Sequence, residues 1–338
     1  MTIGNELDLF IANTAAKLDD LSARLEQLEA VPDTIPEPLP GLVITKRNGI
    51  SIYSVADLRA WHSDNCKPNI PLTQYVGNVV LTSQASADAI RGKAVLGSVT
   101  VRASNLVIED FAIEWDGNDN TRSLLDFDGS ASGCTVRRFD INGKKAKTVI
   151  GIGGASYSAG HLFEFGTIRN YGFDAIRLFK NSTYRRLFVH SPFEWDSASM
   201  GPYNSGESQL IYPHTDVAQA IRSGAVMQEC WLENGSADNA TSCIMCKSDT
   251  NEQIDGFELS DSYLNGGHYT VSVHNKNGTK TNPGEYGHPI NVRILRNIFG
   301  RGYRVGVLSH SVPDSSIAFS GNRWADTLEL VPTSDGPL

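Results

Sequence analysis

The long interval between residues 189 and 232 is the part of the chain best suited to carbohydrate chemistry. Sugars present flat C–H faces and a ring of hydroxyl groups, so proteins bind them with aromatic side chains beside carboxylates and amides. Both kinds are abundant in this interval: His190, Phe193, Glu194, Trp195, Asp196, Tyr203, Glu207, Tyr212, His214 and Asp216. We therefore expect Trp195, Asp196, Tyr203 and Tyr212 to bind a sugar. The alternative is a loop whose aromatic residues cover the flank of the protein or a contact between subunits.

The run from His214 to Gln219 places an imidazole, the carboxylate of Asp216 and an amide at the start of a predicted strand. Asp174 occupies the equivalent position in the preceding strand, so the two carboxylates are expected one strand spacing apart, roughly 5 Å. Two carboxylates at that distance raise the pKa of one of them, as a general acid requires, and the separation suits a retaining glycosidase. His214, Asp216, Asp174 and Glu194 form the predicted catalytic set. Gln219 is a predicted substrate contact. The alternative is that both aspartates accept hydrogen bonds from turn amides.

A lyase would use other residues. It needs a base that removes the proton next to a uronate carboxylate, and a cation that stabilises the enolate. Lys247, His274, His214 and Arg222 have suitable side chains, and we count Lys247 and His274 among the predicted substrate contacts. The pair Cys243 and Cys246 has zinc-ligand spacing, but no second pair accompanies it, so we expect buried thiols and neither a metal nor a cofactor.

Two families of short segments alternate along the chain beyond residue 100. Members of the first have two apolar anchors around a polar middle and occupy residues 108–113, 136–141, 163–168, 185–189, 227–232, 259–264, 294–299 and 319–324. Members of the second are short apolar strands at residues 124–127, 149–152, 175–178, 217–220, 243–246, 271–274 and 305–308. Recurrence at intervals of roughly 21 to 43 residues without helices predicts a solenoid, with one coil per repeat and like strands stacked in parallel sheets. The alternative is a β-sandwich.

The N-terminal region has a different pattern. Residues 3–30 carry a heptad of mostly leucine residues from Leu7 to Leu28, which predicts a coiled-coil stalk without deciding between dimer and trimer. Residues 31–42 contain four prolines and predict a stiff linker. Residues 43–104 are the predicted N-terminal cap, with a short helix whose Val55, Leu58 and Trp61 cover the open apolar end of the solenoid at 105–338.

Composition limits the remaining possibilities. The 338 residues are 40% hydrophobic and 20% charged, which excludes disorder over most of the length. A net charge of −9 argues against binding nucleic acid or an anionic membrane. No segment reaches the roughly 18 apolar residues of a membrane span, so we expect no membrane insertion. The N-terminus lacks the pattern of a secretion signal, so we expect folding in a cytoplasm, where the five scattered cysteines stay reduced.

The alternating strand families resemble the right-handed parallel β-helix of the pectate-lyase-like superfamily. With the predicted stalk, the whole chain resembles a bacteriophage tailspike or minor tail protein of that fold. The resemblance implies an all-β protein of the virion, assembled in the host cytoplasm as a homotrimer through residues 3–30, that contacts other phage tail proteins and binds host cell-surface polysaccharide. It leaves two classes open, a non-enzymatic receptor-binding protein and a depolymerase, either glycoside hydrolase or polysaccharide lyase.

The resemblance to catalytic motifs is partial. The run at 214–219 is similar to the Asn-Thr-Asp element of polygalacturonase-type hydrolases, with His214 in place of the asparagine, and residues 266–268 are similar to their Gly-His-Gly. The chain departs from that pattern at residues 242–247, which have no Asp-Asp pair, and at residues 293–295, which lack the lysine of Arg-x-Lys. These departures put the polygalacturonase mechanism in doubt and favour the binding class.

Overall fold

Two stacks of parallel strands form most of the protein. The computed structural model describes residues 45–118, 121–144, 149–155, 157–193, 215–236, 240–248 and 252–332. The predicted stalk at 3–30 and linker at 31–42 lie outside these ranges. Within them, the chain passes from one sheet to the other and back, and every strand of both sheets pairs in parallel with a strand of the next coil. This is a parallel β-helix, as the two alternating families predicted.

The first sheet has sixteen strands and contains the segments with two apolar anchors. Its strands are β3 (Thr73–Val76), β5 (Lys93–Leu96), β7 (Val107–Glu114), β9 (Thr135–Asn142), β11 (Leu162–Glu164), β12 (Thr167–Arg169), β14 (Thr183–Arg185), β15 (Phe188–His190), β17 (Val226–Gln228), β18 (Trp231–Glu233), β20 (Glu258–Ser260), β21 (Tyr263–Asn265), β23 (Val292–Leu295), β24 (Ile298–Phe299), β26 (Ile317–Ser320) and β27 (Arg323–Trp324). From β11 onward each coil contributes two strands, because the chain bends between its two anchors.

The second sheet has nine strands and contains the other family. Its strands are β4 (Val79–Leu81), β6 (Val99–Val101), β8 (Ser123–Phe127), β10 (Ile150–Gly154), β13 (Ile176–Leu178), β16 (Thr215–Ala220), β19 (Ala240–Ser248), β22 (Tyr269–Asn275) and β25 (Gly306–His310). Side chains of a strand point alternately inward and outward. The inward ones fill the space between the sheets with a continuous apolar core that includes Phe127, Phe163 and Tyr184.

Each coil turns at two corners where the backbone is left-handed. The first corner is occupied by Asn or Gly, with φ between 50° and 78°, at Asn105, Gly133, Gly160, Asn181, Gly224, Gly256 and Asn291. The second follows it by five residues in each of these coils, with φ between 52° and 56°, at Asp110, Arg138, Phe165, Arg186, Glu229, Asp261 and Arg296. Corner N–H groups donate to the next coil, as in Gly224 to the Asp255 carbonyl at 3.0 Å and Glu229 to the Ser260 carbonyl at 3.1 Å. The constant spacing of five residues between the two corners explains why the first repeat family has a regular pattern. The repeat length varies because other parts of the coil differ in length.

A segment from Thr45 to Cys66, here called the strap, runs along the outside of the first sheet. It contains a hairpin of β1 (Thr45–Arg47) and β2 (Ile50–Ile52), then helix α1 (Val55–Asn65), whose N-terminus is capped by the Ser54 hydroxyl. The helix buries Val55, Leu58 and Trp61 in one cluster, which confirms the predicted apolar side. The predicted location is wrong, because the cluster partners Phe188, Trp231, Tyr263 and Ile298 come from four successive coils of the flank.

The strap binds the second-corner residues of three consecutive coils through their carbonyl oxygens. The Cys66 thiol donates to the Arg186 carbonyl oxygen at 2.8 Å, and Arg47 Nη2 donates to the Asp261 carbonyl oxygen at 2.6 Å. Between them, His62 Nε2 lies 3.0 Å from the Glu229 carbonyl oxygen. Burial is the main reason that the pKa of His62 is lowered to about 4. The strap therefore joins coils that are otherwise connected only through their neighbours.

Only part of the predicted cap at 43–104 lies outside the coils of the β-helix. The strands from Thr73 to Val101 already belong to the two sheets, so the coils begin about 30 residues before the predicted boundary at 105. Helix α2 (Gln84–Ala89) places Ala87 in the end of the core, and the Gln84 side chain bonds both the N–H and the carbonyl of Val107. A short helix is enough here because the end of one coil exposes little apolar area. Of the described helices, none combines the length and the apolar character that crossing a bilayer requires.

The corner geometry predicts different costs for two glycine substitutions. Gly224 and Gly256 both occupy first corners at positive φ, but a Cβ at Gly224 would lie 2.1 Å from Asn181 Oδ1, whereas a Cβ at Gly256 would meet nothing closer than 4.0 Å. Gly256→Ala should therefore lower the free energy of unfolding by about 1–2 kcal/mol, the cost of a left-handed alanine, and Gly224→Ala by more. Urea unfolding of both variants measures this, and equal losses would contradict the proposed stacking of corners.

The buried His161 predicts a loss of stability in mild acid. Its Nδ1 accepts from the Cys134 N–H at 3.2 Å, so Nε2 carries the proton toward Ser158 Oγ at 2.7 Å, and the hydroxyl donates to the Ala131 carbonyl. Burial lowers the pKa of His161 from 6.5 to about 4. Between those values only the unfolded chain takes up the proton, so the contribution of His161 to stability should fall from pH 6.5 to pH 4 by up to about 3 kcal/mol and stay constant below. Carboxyl groups whose pKa is lowered by arginine partners, such as Glu109 and Asp110, add a separate loss at lower pH.

The matched variant for this prediction is His161→Asn, whose amide oxygen can accept from the Cys134 N–H at any pH in this range. Its urea midpoint should depend less on pH than that of the wild type between pH 7 and pH 4.5. The pKa values of His62, His190 and His274 are also lowered and contribute to the acid loss, and these residues are retained in both proteins. The same pH dependence in the two proteins would overturn the assignment to His161.

Candidate functional site

A polar cleft of about 490 Å³ lies on the outer face of the second sheet near its N-terminal end. Strand alternation creates it: Val99, Val101 and Leu125 point into the core, whereas Thr100 and Asp126, which pair in register, point outward. The lining residues are mostly carboxylates, amides and hydroxyls: Asn78, Ser98, Thr100, Asn118, Thr121, Arg122, Ser123, Asp126, Phe127, Asp128, Gly129, Gly154 and Ala155. Such a surface is suited to a ligand with many hydroxyl groups.

Two carboxylates of the cleft have different surroundings. Burial raises the pKa of Asp126, and the neighbouring Asp128 adds to the rise against the influence of Ser123 and Arg122. Asp128 is about half exposed, its Oδ2 lies 3.7 Å from Arg102 Nε, and its other oxygen accepts from the Ser130 N–H. The two carboxylates therefore differ in burial and in their charged neighbours, since Asp126 is partly buried and Asp128 has Arg102 beside it.

An exposed aromatic ring borders the same cleft. Tyr157 is 85% exposed, and its ring lies beside Gly129, where a Cβ would be 3.8 Å from Tyr157 Cδ2 and 3.4 Å from the Cβ of Ala155. At another edge of the cleft, Trp115 Nε1 donates to the carbonyl of the lining residue Asn118 at 3.2 Å. A tyrosine this exposed gains nothing for folding, and beside a polar cleft it offers a stacking surface to a ligand.

Two glycines of the next coil lie close to the strand that carries Asp126. The register partner of Asp126 in β10 is Gly153, where a Cβ would lie 2.6 Å from Ser123 Oγ. Gly154 has a φ of +155°, and a Cβ there would lie 2.2 Å from the Phe127 carbonyl oxygen. Only glycine fits this close approach of backbones.

The structure brings the predicted pair Asp174 and Asp216 together, one coil apart. Ile176 pairs with Ala218, and the Ala175 N–H donates to the Asp216 carbonyl at 2.9 Å, which puts the two aspartates opposite each other. Both are completely buried, and Asp174 accepts from Arg177 Nε at 3.0 Å. Their adjacency was predicted correctly, but the burial of both side chains favours the structural alternative.

The other predicted residues are distributed as follows. Gln219 lies on the second sheet in register with Arg177 and Met245, and Lys247 pairs with His274 farther along the same sheet. Burial, with the charges of Lys247 and His310, lowers the pKa of His274. Glu194, Trp195, Asp196, Tyr203, Tyr212 and His214 lie outside the described residues, and the nearly buried Arg222 is not in register with Lys247 or His274. The sheet thus joins Lys247 to His274 several coils away from the cleft.

The buried thiols behave as predicted. Cys243 and Cys246 are completely buried, and burial raises the pKa of each to about 12. In the described ranges, no group of three or more His, Cys, Asp and Glu side chains is arranged to hold a metal ion. Both cysteines therefore serve as packing residues of the second sheet.

Sequence reasoning missed the cleft, although a signal was present. Residues 124–127 were recognised as a strand, and strand alternation puts Asp126 and Asp128 on the same side, opposite the inward Phe127. The glycine-rich residues 151–154 of the next strand were a second sign, because glycine in a strand often marks a close approach of backbone or ligand. The interval between residues 189 and 232 is richer in aromatic residues, so the sequence favoured that interval over Asp126 and Asp128.

Comparisons with known proteins identify no family for this chain. No protein-family model and no curated protein matches it. Among solved structures, it is similar to the Agl-KA catalytic domain, with 12% identity over 75% of this chain and 52% of that chain and a TM-score of 0.32. It is similar to pectate lyase Pel9A, with 10% identity over 79% of this chain and 83% of that chain and a TM-score of 0.31. It is also similar to the catalytic domain of a GH87 alpha-1,3-glucanase in complex with nigerose, with 13% identity over 87% of this chain and 71% of that chain and a TM-score of 0.26. The chain spans about half the length of the Agl-KA domain, and TM-scores this low assign no activity.

The Asp174–Arg177 contact predicts an effect on stability. Arg177→Met removes the guanidinium from a completely buried carboxylate and should lower the free energy of unfolding by about 2 kcal/mol, because Arg177 itself is a quarter exposed. The control Lys280→Met removes the exposed partner of Asp314 and should cost at most about 0.5 kcal/mol. Urea unfolding compares the two, and similar small losses would show that Asp174 does not depend on Arg177.

Proposed function

We propose that this protein is a tailspike-type component of a bacteriophage tail whose β-helix binds a host cell-surface polysaccharide. The observation that carries the proposal is the cleft, which is lined by carboxylates, amides and hydroxyls and has the exposed ring of Tyr157 beside its lining residue Gly129. A sugar ring stacks its C–H face on an aromatic ring while its hydroxyls bond polar groups around the edge. The cleft provides both kinds of contact on one rigid sheet.

The outer face of the second sheet supports a long polymer as the ligand. Beyond Asp126, the outward row of this sheet continues through Gly153, Arg177, Gln219, Met245 and Ser272, spaced about 4.8 Å per coil in the direction of strand pairing. Its partly exposed polar members Arg177 and Gln219 lie on adjacent coils and can bond neighbouring units of an extended glycan. Because two carboxylates and one arginine line the cleft, a neutral polysaccharide fits better than a polyuronate.

The role in a phage tail is supported by the sequence of the N-terminal region. The leucine heptad of residues 3–30 suits a homotrimeric stalk, and the proline-rich residues 31–42 suit a stiff connection to the β-helix. Such an arm would attach the subunits to other tail proteins and present three β-helices to the host surface. Localisation in the virion, after assembly in the host cytoplasm, follows from this proposal.

Binding to an array of bacterial capsular and O-chain polysaccharides tests the proposal. The wild type should bind at least one neutral polysaccharide and bind polyuronates more weakly. Tyr157→Ala should weaken binding about tenfold, because a lost stacking contact is worth roughly 1.4 kcal/mol. The control Tyr53→Ala removes a tyrosine of the strap that is 48% exposed, and it should leave binding unchanged.

Two results would contradict the proposal. Absence of wild-type binding to every neutral polysaccharide on the array would overturn glycan recognition. Equal loss of binding in Tyr157→Ala and Tyr53→Ala would place recognition outside the cleft.

A further inference from the structure

We propose that Asp126 and Asp128 are a catalytic acid–base pair, and that the protein hydrolyses the neutral polysaccharide bound in the cleft. This inference rests on the proposed function, because it assigns a reaction to the same site. It moves the catalytic centre from the buried pair Asp174 and Asp216 to two carboxylates that line an open cleft.

The position follows from the strand. Asp126 is the penultimate residue of β8, and Asp128 follows two residues later, where the Asp128 N–H still donates to the Val101 carbonyl of the neighbouring coil at 2.9 Å. The Cα atoms of residues two positions apart in an extended chain are roughly 6.6 Å apart. Both carboxylates line the same cleft. This Cα spacing allows a carboxyl separation within the range of about 6.5–9.5 Å that leaves room for a water molecule in inverting glycosidases.

The surroundings divide the roles. Asp126 lies between Thr100 and Gly153 in register, and its partial burial favours the neutral acid. Asp128 is about half exposed and therefore accessible to a water molecule, and Arg102 Nε lies 3.7 Å from its Oδ2. Asp126 is thus the general acid and Asp128 the general base.

The reaction is balanced without any further reactant. Asp128 accepts a proton from water as the water oxygen forms a bond to the anomeric carbon. The bond from that carbon to the glycosidic oxygen breaks, and this oxygen takes the proton of Asp126. The products are a new reducing end and a free hydroxyl, and the solvent then returns a proton to Asp126 and removes one from Asp128. The water attacks from the face opposite the leaving group, so the anomeric configuration inverts.

The experiment uses the full-length protein and the polysaccharide that the wild type retains on the array. New reducing ends are measured with time, and proton NMR identifies the anomer formed first. We expect wild-type cleavage with inversion. Asp126→Asn and Asp128→Asn should each lower the rate at least about 100-fold while binding stays within about threefold of wild type. The control Asp64→Asn changes an exposed carboxylate of α1 and should retain full activity.

A second measurement distinguishes the acid from a structural residue. An aryl glycoside of the same sugar has a leaving group that departs without a proton, so Asp126→Asn should cleave it nearly as fast as wild type, whereas Asp128→Asn should not. The circular dichroism spectra and urea midpoints of both variants are compared with wild type to show that the fold is intact.

The outcomes separate this inference from the proposed function. Binding without new reducing ends in the wild type overturns hydrolysis and leaves glycan recognition standing, whereas no binding at all overturns the proposed function. Cleavage that survives both substitutions overturns the assignment to Asp126 and Asp128. Retention of the anomeric configuration overturns the inverting mechanism.

Discussion

The requirement that each coil turn at the same places as its neighbours governs this structure. In a parallel β-helix every coil takes its backbone partners from the coils on either side, so a corner that moves by one residue breaks two ladders at once. The left-handed corners, five residues apart, meet this requirement. Asn and Gly adopt this conformation readily, whereas arginine, glutamate and phenylalanine at the second corner do so at a cost of about 1–2 kcal/mol each.

That cost is offset by contacts that only stacked corners can make. Arg138 bonds both Asp110 and Glu109 of the neighbouring coil, Arg186 bonds Glu229, and Arg296 bonds Asp261. The strap adds polar contacts to the carbonyl oxygens of three consecutive corner residues. In a solenoid each repeat contacts only its neighbours, so a segment that spans four coils increases cooperativity along the axis.

The same constraint makes the outer face of the second sheet available for function. Its inward residues must be apolar, but its outward residues are not required for stacking, and the chain uses them for carboxylates, amides and hydroxyls. A cleft on such a sheet has walls set by two ladders of hydrogen bonds, so Asp126 and Asp128 are held on a rigid element. Catalytic groups are positioned more accurately on strands than on loops.

The sequence by itself determined the secondary structure class, the alternation of two strand families, the apolar side of α1 and the adjacency of Asp174 to Asp216. Each depends on a local period or on the number of residues between equivalent positions, and both can be read from the sequence without the tertiary structure. Only the tertiary structure decided that the strap covers the flank, that the two aspartates are buried, and that Asp126, Asp128 and Tyr157 share a cleft. These outcomes depend on which coils lie side by side and on what covers each side chain. Because the loops between strands vary in length, residue spacing alone predicts neither.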